Sequence, residues 1–364
     1  MKINEILTID LSEDIKNVID LEDISEKEIQ GEIESYIVTD GLAREYADFV
    51  STFTSSILET GVWISGFYGS GKSYFGKLLG YMLSNRMIAG TPARDRIVQR
   101  FTGITDEALV KNAISRLDSI ISRVVFLDIA KQDTSKGFPF ALFRNFLKSL
   151  ELPENEHGVF LMQLMLSNST TNVHEFVRDR AGLEWNDIRT SNIKYIKSIK
   201  EIFIGLGNSE QDYNNLMTTI RRDIDQFSAS RLREELSHYL QVEKNEKIVF
   251  LFDEASEAIN QKKFNLLDLE GVSESLSSLG GKVWTIAIAQ EKLDDVINNS
   301  NVSKAQLTKV TDRFKTKIHL EATEVDVIIK NRLLKKTEAG RNELLDHFQK
   351  NSGKISDHAA IHGA

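Results

Sequence analysis

The octapeptide Gly66-Phe67-Tyr68-Gly69-Ser70-Gly71-Lys72-Ser73 satisfies G-x-x-x-x-G-K-[S/T] at every fixed position. Glycines at 66, 69 and 71 open backbone conformations closed to other residues, so successive N–H groups can turn inward around a phosphate. Lys72 adds a mobile cation for β- and γ-phosphates, and the Ser73 hydroxyl suits a Mg²⁺ ligand. The flanks agree with this reading. Val62-Trp63-Ile64 predicts a short strand, and Phe75, Leu78, Leu79, Met82 and Leu83 recur at helical spacing over 72–85. A strand, a glycine loop and a helix N-terminus make an anion-binding arrangement. All eight residues of the loop are therefore candidates to hold ATP with Mg²⁺.

Working outward, a second motif completes the chemistry that the first begins. Ile248-Val249-Phe250-Leu251-Phe252-Asp253-Glu254 is an apolar run ending in two carboxylates, as expected of a buried parallel strand delivering acids to its C-terminal edge. Asp253 is expected in the Mg²⁺ shell, and Glu254 as the general base that polarises the attacking water. A further buried-type strand, Val283 to Ala289, ends at Gln290, which either senses the γ-phosphate or caps the next turn. Arg313, in Thr311-Asp312-Arg313-Phe314, precedes a strand at 316–320. It is expected either to reach a neighbouring subunit's γ-phosphate or to form a surface salt bridge. Val124 to Ile129 predicts another buried strand, in which Asp128 either points toward the phosphates or, as read here, is structural.

The expected class is α/β, a parallel sheet flanked by helices. Residues 1–40 form an acidic extension with a capping box at Ser25–Glu28, a helix through Ile29 and Ile33, and a short strand Tyr36-Ile37-Val38-Thr39. This extension is either a solvated lead-in or an arm docking on a neighbouring subunit. Residues 41–320 hold the core. They open with an amphipathic helix from Gly41 to Thr60 and include a polar helix with Val110, Ile114, Leu117 and Ile121 on one side. A helical insertion spans about 134–245. Its basic stretch from Arg221 to Arg233 also carries Asp223, Asp225, Glu234 and Glu235, so pairing within helices is favoured over nucleic-acid binding. Residues 321–364 read as the start of a helical lid, an amphipathic helix over 324–350, in an N-terminal portion of a longer protein.

Composition narrows the function further. Over 364 residues the net charge is −9, which disfavours a broad basic surface for nucleic acid; a local DNA-facing patch stays open, and DNA contact is expected to be indirect. Cysteine is absent, so disulfide and thiol chemistry are excluded and a cytoplasmic setting is expected. No apolar run reaches the roughly 20 residues of a membrane span. The seven histidines show no H-x-x-x-H pairing.

The order of phosphate loop, Asp-Glu strand, polar strand end, Arg-Phe and helical lid resembles an AAA+ ATPase core. The Leu-Ser-Gly-Gly-Gln string of ABC-type ATPases does not precede the Asp-Glu strand. In wording, Tyr36-Ile37-Val38-Thr39 followed by Gly61 through Phe75 resembles the large P-loop ATPases of bacteriophage-exclusion (BREX) systems, the BrxC/PglY family. The resemblance implies a cytoplasmic bacterial protein acting with other BREX components in marking host DNA and blocking phage. It implies nucleotide and Mg²⁺ roles for Lys72 and Ser73, the acidic pair at Asp253 and Glu254, and, less directly, roles for Gln290 and Arg313. The expected activity is ATP hydrolysis driving a switch or remodeller, in a homo-oligomer. The alternative is a nucleotide-gated scaffold that assembles the defence complex with little turnover.

Overall fold

The computed structural model describes residues 2–8, 25–168, 192–298, 304–321 and 325–362. Parts of the expected extension, insertion and lid, at 9–24, 169–191 and 322–324, lie outside these residues.

Five strands form one all-parallel sheet: β1 (Gly61–Ser65), β4 (Ile121–Asp128), β5 (Glu246–Asp253), β6 (Val283–Ala289) and β7 (Thr316–His319), in the order β4-β5-β6-β1-β7. A two-residue hairpin, β2 (Met87–Ile88) with β3 (Thr91–Pro92), stands apart where Pro92 interrupts the helical pattern. β1 and β6 are buried throughout, which fits their mostly apolar sequences, because both faces of a parallel sheet are covered.

Alternation along the strands sorts side chains into two cores. Val62, Ile64, Val249, Leu251, Ile286 and Ile288 pack with the helix Lys72–Ser84 and with the earlier helices Glu26–Ser35 and Asp40–Thr54. Val125, Leu127, Phe250, Phe252 and Ala287 pack on the other face with helices Phe138–Ser149, Ala229–Val242 and Leu266–Ser277. Two glycines let the helix Lys72–Ser84 lie close to the sheet. A Cβ on Gly76 would meet Ile288 Cδ1 at 2.3 Å, and one on Gly80 would meet the Phe126 ring at 2.4 Å.

Between β4 and β5 the described residues form helices Phe138–Ser149, Glu156–Asn168, Asn192–Gly205, Glu210–Asp225 and Ala229–Val242, and this segment holds the basic stretch. Its basic stretch is paired: Arg231 meets Glu235 at 2.6 Å and Asp223 at 3.4 Å, and Arg221 meets Glu156 at 3.3 Å.

Four sequence expectations are corrected. Tyr36 to Thr39 forms no strand but an extended link between two helices, in which Thr39 caps the second by accepting from Leu42 N. That second helix stops at Thr54 rather than Thr60, because Ser55 turns extended and its hydroxyl and N–H both bond Thr52 O. Ile121 leaves the polar helix, which closes in a short 3₁₀ turn at Arg116–Ser119, and instead opens β4 with its side chain exposed. The amphipathic pattern over 324–350 is not one helix: Val325–Ile328 runs into a π-type turn at Ile329–Leu333, and a new helix, Glu338–His362, follows with a kink at Asn351.

Candidate functional site

β1 ends at Ser65, and residues 66–71 turn before the helix begins at Lys72. Gly69 and Gly71 sit at φ +83° and +84°, the left-handed region that glycine occupies without strain. Gly66 is required for a different reason: a Cβ there would lie 2.6 Å from both Leu320 O and Ser70 Oγ. The turn is closed by Phe67 O, which accepts from Ser70 N at 3.1 Å and from Lys72 Nζ at 3.1 Å. Lys72 is 8% exposed, and burial lowers its pKa against the opposing pull of Asp253 and Glu254. Ser70 Oγ is buried without a hydrogen-bond partner, the kind of orphaned polar atom that a bound phosphate or its water shell would satisfy. Phe67 and Tyr68 point outward, Tyr68 being 80% exposed, so within the loop they contribute backbone rather than side chains.

β5 brings the two acids to the same edge of the sheet. The Ser73 hydroxyl lies close enough to the Asp253 carboxyl to lower its proton affinity, which brings the start of the loop helix beside the acidic strand. Asp253 is buried, and desolvation raises its pKa. Glu254 follows in the left-handed conformation, φ 58° and ψ 35°, which turns its side chain out of the strand's alternation at the start of helix Ala255–Asn260. Burial raises its pKa, as do the charges of Asp253 and Asp128, while a hydrogen bond from the Gln290 side chain lowers it. A carboxylate with raised proton affinity is a better base near neutrality. Backbone strain at a non-glycine residue is stored at sites where side-chain direction matters.

Gln290, at the end of β6, therefore joins the acidic pair through Glu254, and its own N–H bonds Ser256 Oγ at 3.2 Å. Arg313 does not join them. It ends helix Lys304–Arg313 at the opposite edge of the sheet, where a Cβ on Gly61 would lie 2.4 Å from its carbonyl oxygen. There it pairs with Glu274 at 2.6 Å, with Glu270 at 3.9 Å.

One residue read as structural lies beside the acidic pair. Asp128 is the cross-strand partner of Asp253, and it falls on the face of the loop helix because Val124 and Phe126 pack there. The signal was present in the sequence: Val124 to Asp128, like β5, is an apolar strand that ends in an acid.

No protein-family model matches the chain, and no solved structure matches it. Among the described residues no helix is long and apolar enough to cross a membrane.

Proposed function

We propose that the protein is an AAA+-like P-loop ATPase that binds ATP with Mg²⁺ and hydrolyses it. One observation carries this reading: the loop from Gly66 to Ser73 and the acids Asp253 and Glu254 meet at one sheet edge, where Ser73 and Lys72 both act on the Asp253 carboxyl and lower its proton affinity. Gly66, Gly69 and Gly71 shape a cradle of backbone N–H groups, and Lys72 balances phosphate charge. Ser73 and Asp253 suit Mg²⁺, which when bound neutralises phosphate charge as the terminal group is transferred. Glu254 accepts a proton from water as its oxygen bonds the γ-phosphorus. The bond from that phosphorus to the β–γ bridging oxygen breaks, releasing ADP and phosphate. Gln290 holds the Glu254 carboxylate in place for this step. The strand order, with β6 between the loop strand and the acidic strand, is compatible with an AAA+-like core.

The wording around the loop supports a place among BREX ATPases, in a cytoplasmic homo-oligomer working with other components of that defence. Arg313 cannot serve its own chain's loop from the opposite edge, so in this reading it acts on a neighbour's nucleotide. Its ion pairs with Glu274 and Glu270 favour a second reading, a nucleotide-gated scaffold that turns over little.

Calorimetric titration with MgATP, comparing the protein with Lys72→Ala, tests the site; saturable binding abolished by the substitution is expected. Binding that survives in Lys72→Ala would end the proposal. Glu254→Gln separates the two readings: a hydrolase retains ATP and loses turnover, whereas a scaffold behaves like wild type.

A further inference from the structure

The turn after β4 places a second lysine beside the acids. Ile129 N bonds Asp253 O at 3.2 Å, carrying the β4–β5 ladder one residue past the strand. Lys131 N then bonds Asp128 O at 3.1 Å and Gln132 N bonds Ile129 O at 3.3 Å, so the chain reverses within four residues. That reversal lays the Lys131 side chain back on its own strand end, with Nζ 2.8 Å from Asp128 Oδ2. Asp128 faces Asp253 across the ladder, and its charge is felt by both Asp253 and Glu254. Lys131 is thus bound to the outermost of three neighbouring carboxylates at the edge that also carries the phosphate loop. Its side chain is 71% exposed, so the ammonium can move without leaving a packed position.

Charge supplies the reason for it to move. Three carboxylates against Lys72 leave a surplus of negative charge, and a magnesium-bound triphosphate adds more. Arg313 stands at the far edge and offers nothing to this chain's own nucleotide. The Asp128 side chain is only 14% exposed, so the Lys131 ammonium leaves a part-buried carboxylate behind, a cost that a phosphate oxygen carrying greater charge offsets. We propose that Lys131 is a second phosphate-contacting cation of this site, resting on Asp128 and moving to the terminal phosphate when a triphosphate binds. This rests on the ATPase reading. It adds a catalytic residue supplied by the same chain, which distinguishes triphosphate from diphosphate.

The experiment measures ATP and ADP affinity and steady-state hydrolysis for wild type, Lys131→Ala, Lys131→Arg and, as control, Lys72→Ala. Loss of one charge-assisted hydrogen bond predicts that Lys131→Ala binds ATP about 10- to 100-fold more weakly, leaves ADP affinity unchanged and slows turnover. Lys131→Arg is expected to restore most of the ATP-over-ADP preference. A purely structural role would alter the melting temperature and leave that preference unmoved. An unchanged ATP-to-ADP affinity ratio and turnover in Lys131→Ala, with Lys72→Ala inactive, would overturn the role of Lys131 while leaving the ATPase reading intact. If wild type itself binds no ATP, both fall together, and the wild-type titration identifies that case.

Discussion

Lys77 of the loop helix and Glu32 of the helix Glu26–Ser35 form an ion pair 2.7 Å long in which Lys77 is wholly buried. Tyr81 OH donates to the other Glu32 oxygen at 2.8 Å, and Tyr74 OH donates to the Glu32 carbonyl. The acidic extension is therefore fastened to the helix that carries Lys72 and Ser73, in the same hydrophobic core. Burial raises the pKa of Glu32 against the opposing effect of Lys77, so removing the lysine leaves a desolvated carboxylate without its cation. Lys77→Met is expected to destabilise the fold by about 3–5 kcal/mol. Adding Glu32→Leu should recover much of that loss, because replacing both partners of a buried pair by apolar groups is often neutral. Urea unfolding of the single and double variants checks this; equal stability of Lys77→Met and wild type would contradict it.

Gly66→Ala and Gly80→Ala should separate site from scaffold. At Gly66 the new methyl would press on Leu320 O and Ser70 Oγ, both 2.6 Å away, and so displace the loop itself. At Gly80, eight residues along the helix from Lys72, it would press on the Phe126 ring of β4. Gly66→Ala is expected to lose nucleotide binding with modest change in stability. Gly80→Ala is expected to lose about 1–3 kcal/mol, the usual cost of overpacking, and to keep binding. Calorimetry with MgATP alongside thermal melts distinguishes them, and the reverse pattern would mean that the cradle lies elsewhere.

The loop and the acidic strand were legible because each couples a residue pattern to an unavoidable physical demand. Glycines at 66, 69 and 71 are needed by backbone geometry, and the short β-branched and aromatic run Ile248 to Phe252 has its stable place in the interior, where such residues favour a strand. Tyr36 to Thr39 misled because β-favouring residues describe an extended backbone without stating whether a partner strand exists. Here the Tyr36 carbonyl accepts from Arg100 Nε at 3.0 Å and Nη2 at 2.9 Å instead of from a ladder. Asp128 was hidden for a related reason: its importance comes from register with Asp253, 125 positions away by number, and register is a property of the assembled sheet. The break at Ile329–Leu333 lies where Ile329, Leu333 and Leu334 keep exposed side chains, so the apolar periodicity there did not report burial.

Gln290 gives a prediction that bears on the geometry of the base. Its side chain lies close enough to Glu254 to lower that carboxyl's proton affinity, and the Glu254 backbone already holds a left-handed conformation. Gln290→Ala removes the donor and leaves the loop untouched. Turnover is expected to fall about tenfold or more, the lower range for mispositioning a general base, with ATP affinity unchanged. Gln290→Asn, too short to reach, should behave similarly. Should Gln290→Ala weaken ATP binding and leave the rate of bound nucleotide unaltered, the residue would be a ligand contact rather than a support for Glu254.

The pH dependence of stability follows from His157. It is buried at the start of helix Glu156–Asn168, and desolvation lowers its pKa below the usual 6.5, with Arg221 acting in the same direction and Glu156 opposing. The unfolded chain therefore binds a proton more readily than the folded one between that lowered value and 6.5. Stability from this group is complete above pH 6.5 and is lost as pH falls through the folded value, by at most about 1.4 kcal/mol per pH unit. Glu32 and Glu235, whose pKa values burial raises, act oppositely: their contribution is complete below the ordinary carboxylate value and declines as pH rises. Comparison with His157→Asn at each pH isolates the imidazole from these carboxylates. The stability advantage of wild type over His157→Asn is expected to shrink from pH 7.5 to pH 5, measured by urea midpoints at constant ionic strength. A difference that stays constant across that range would show that His157 titrates alike in both states.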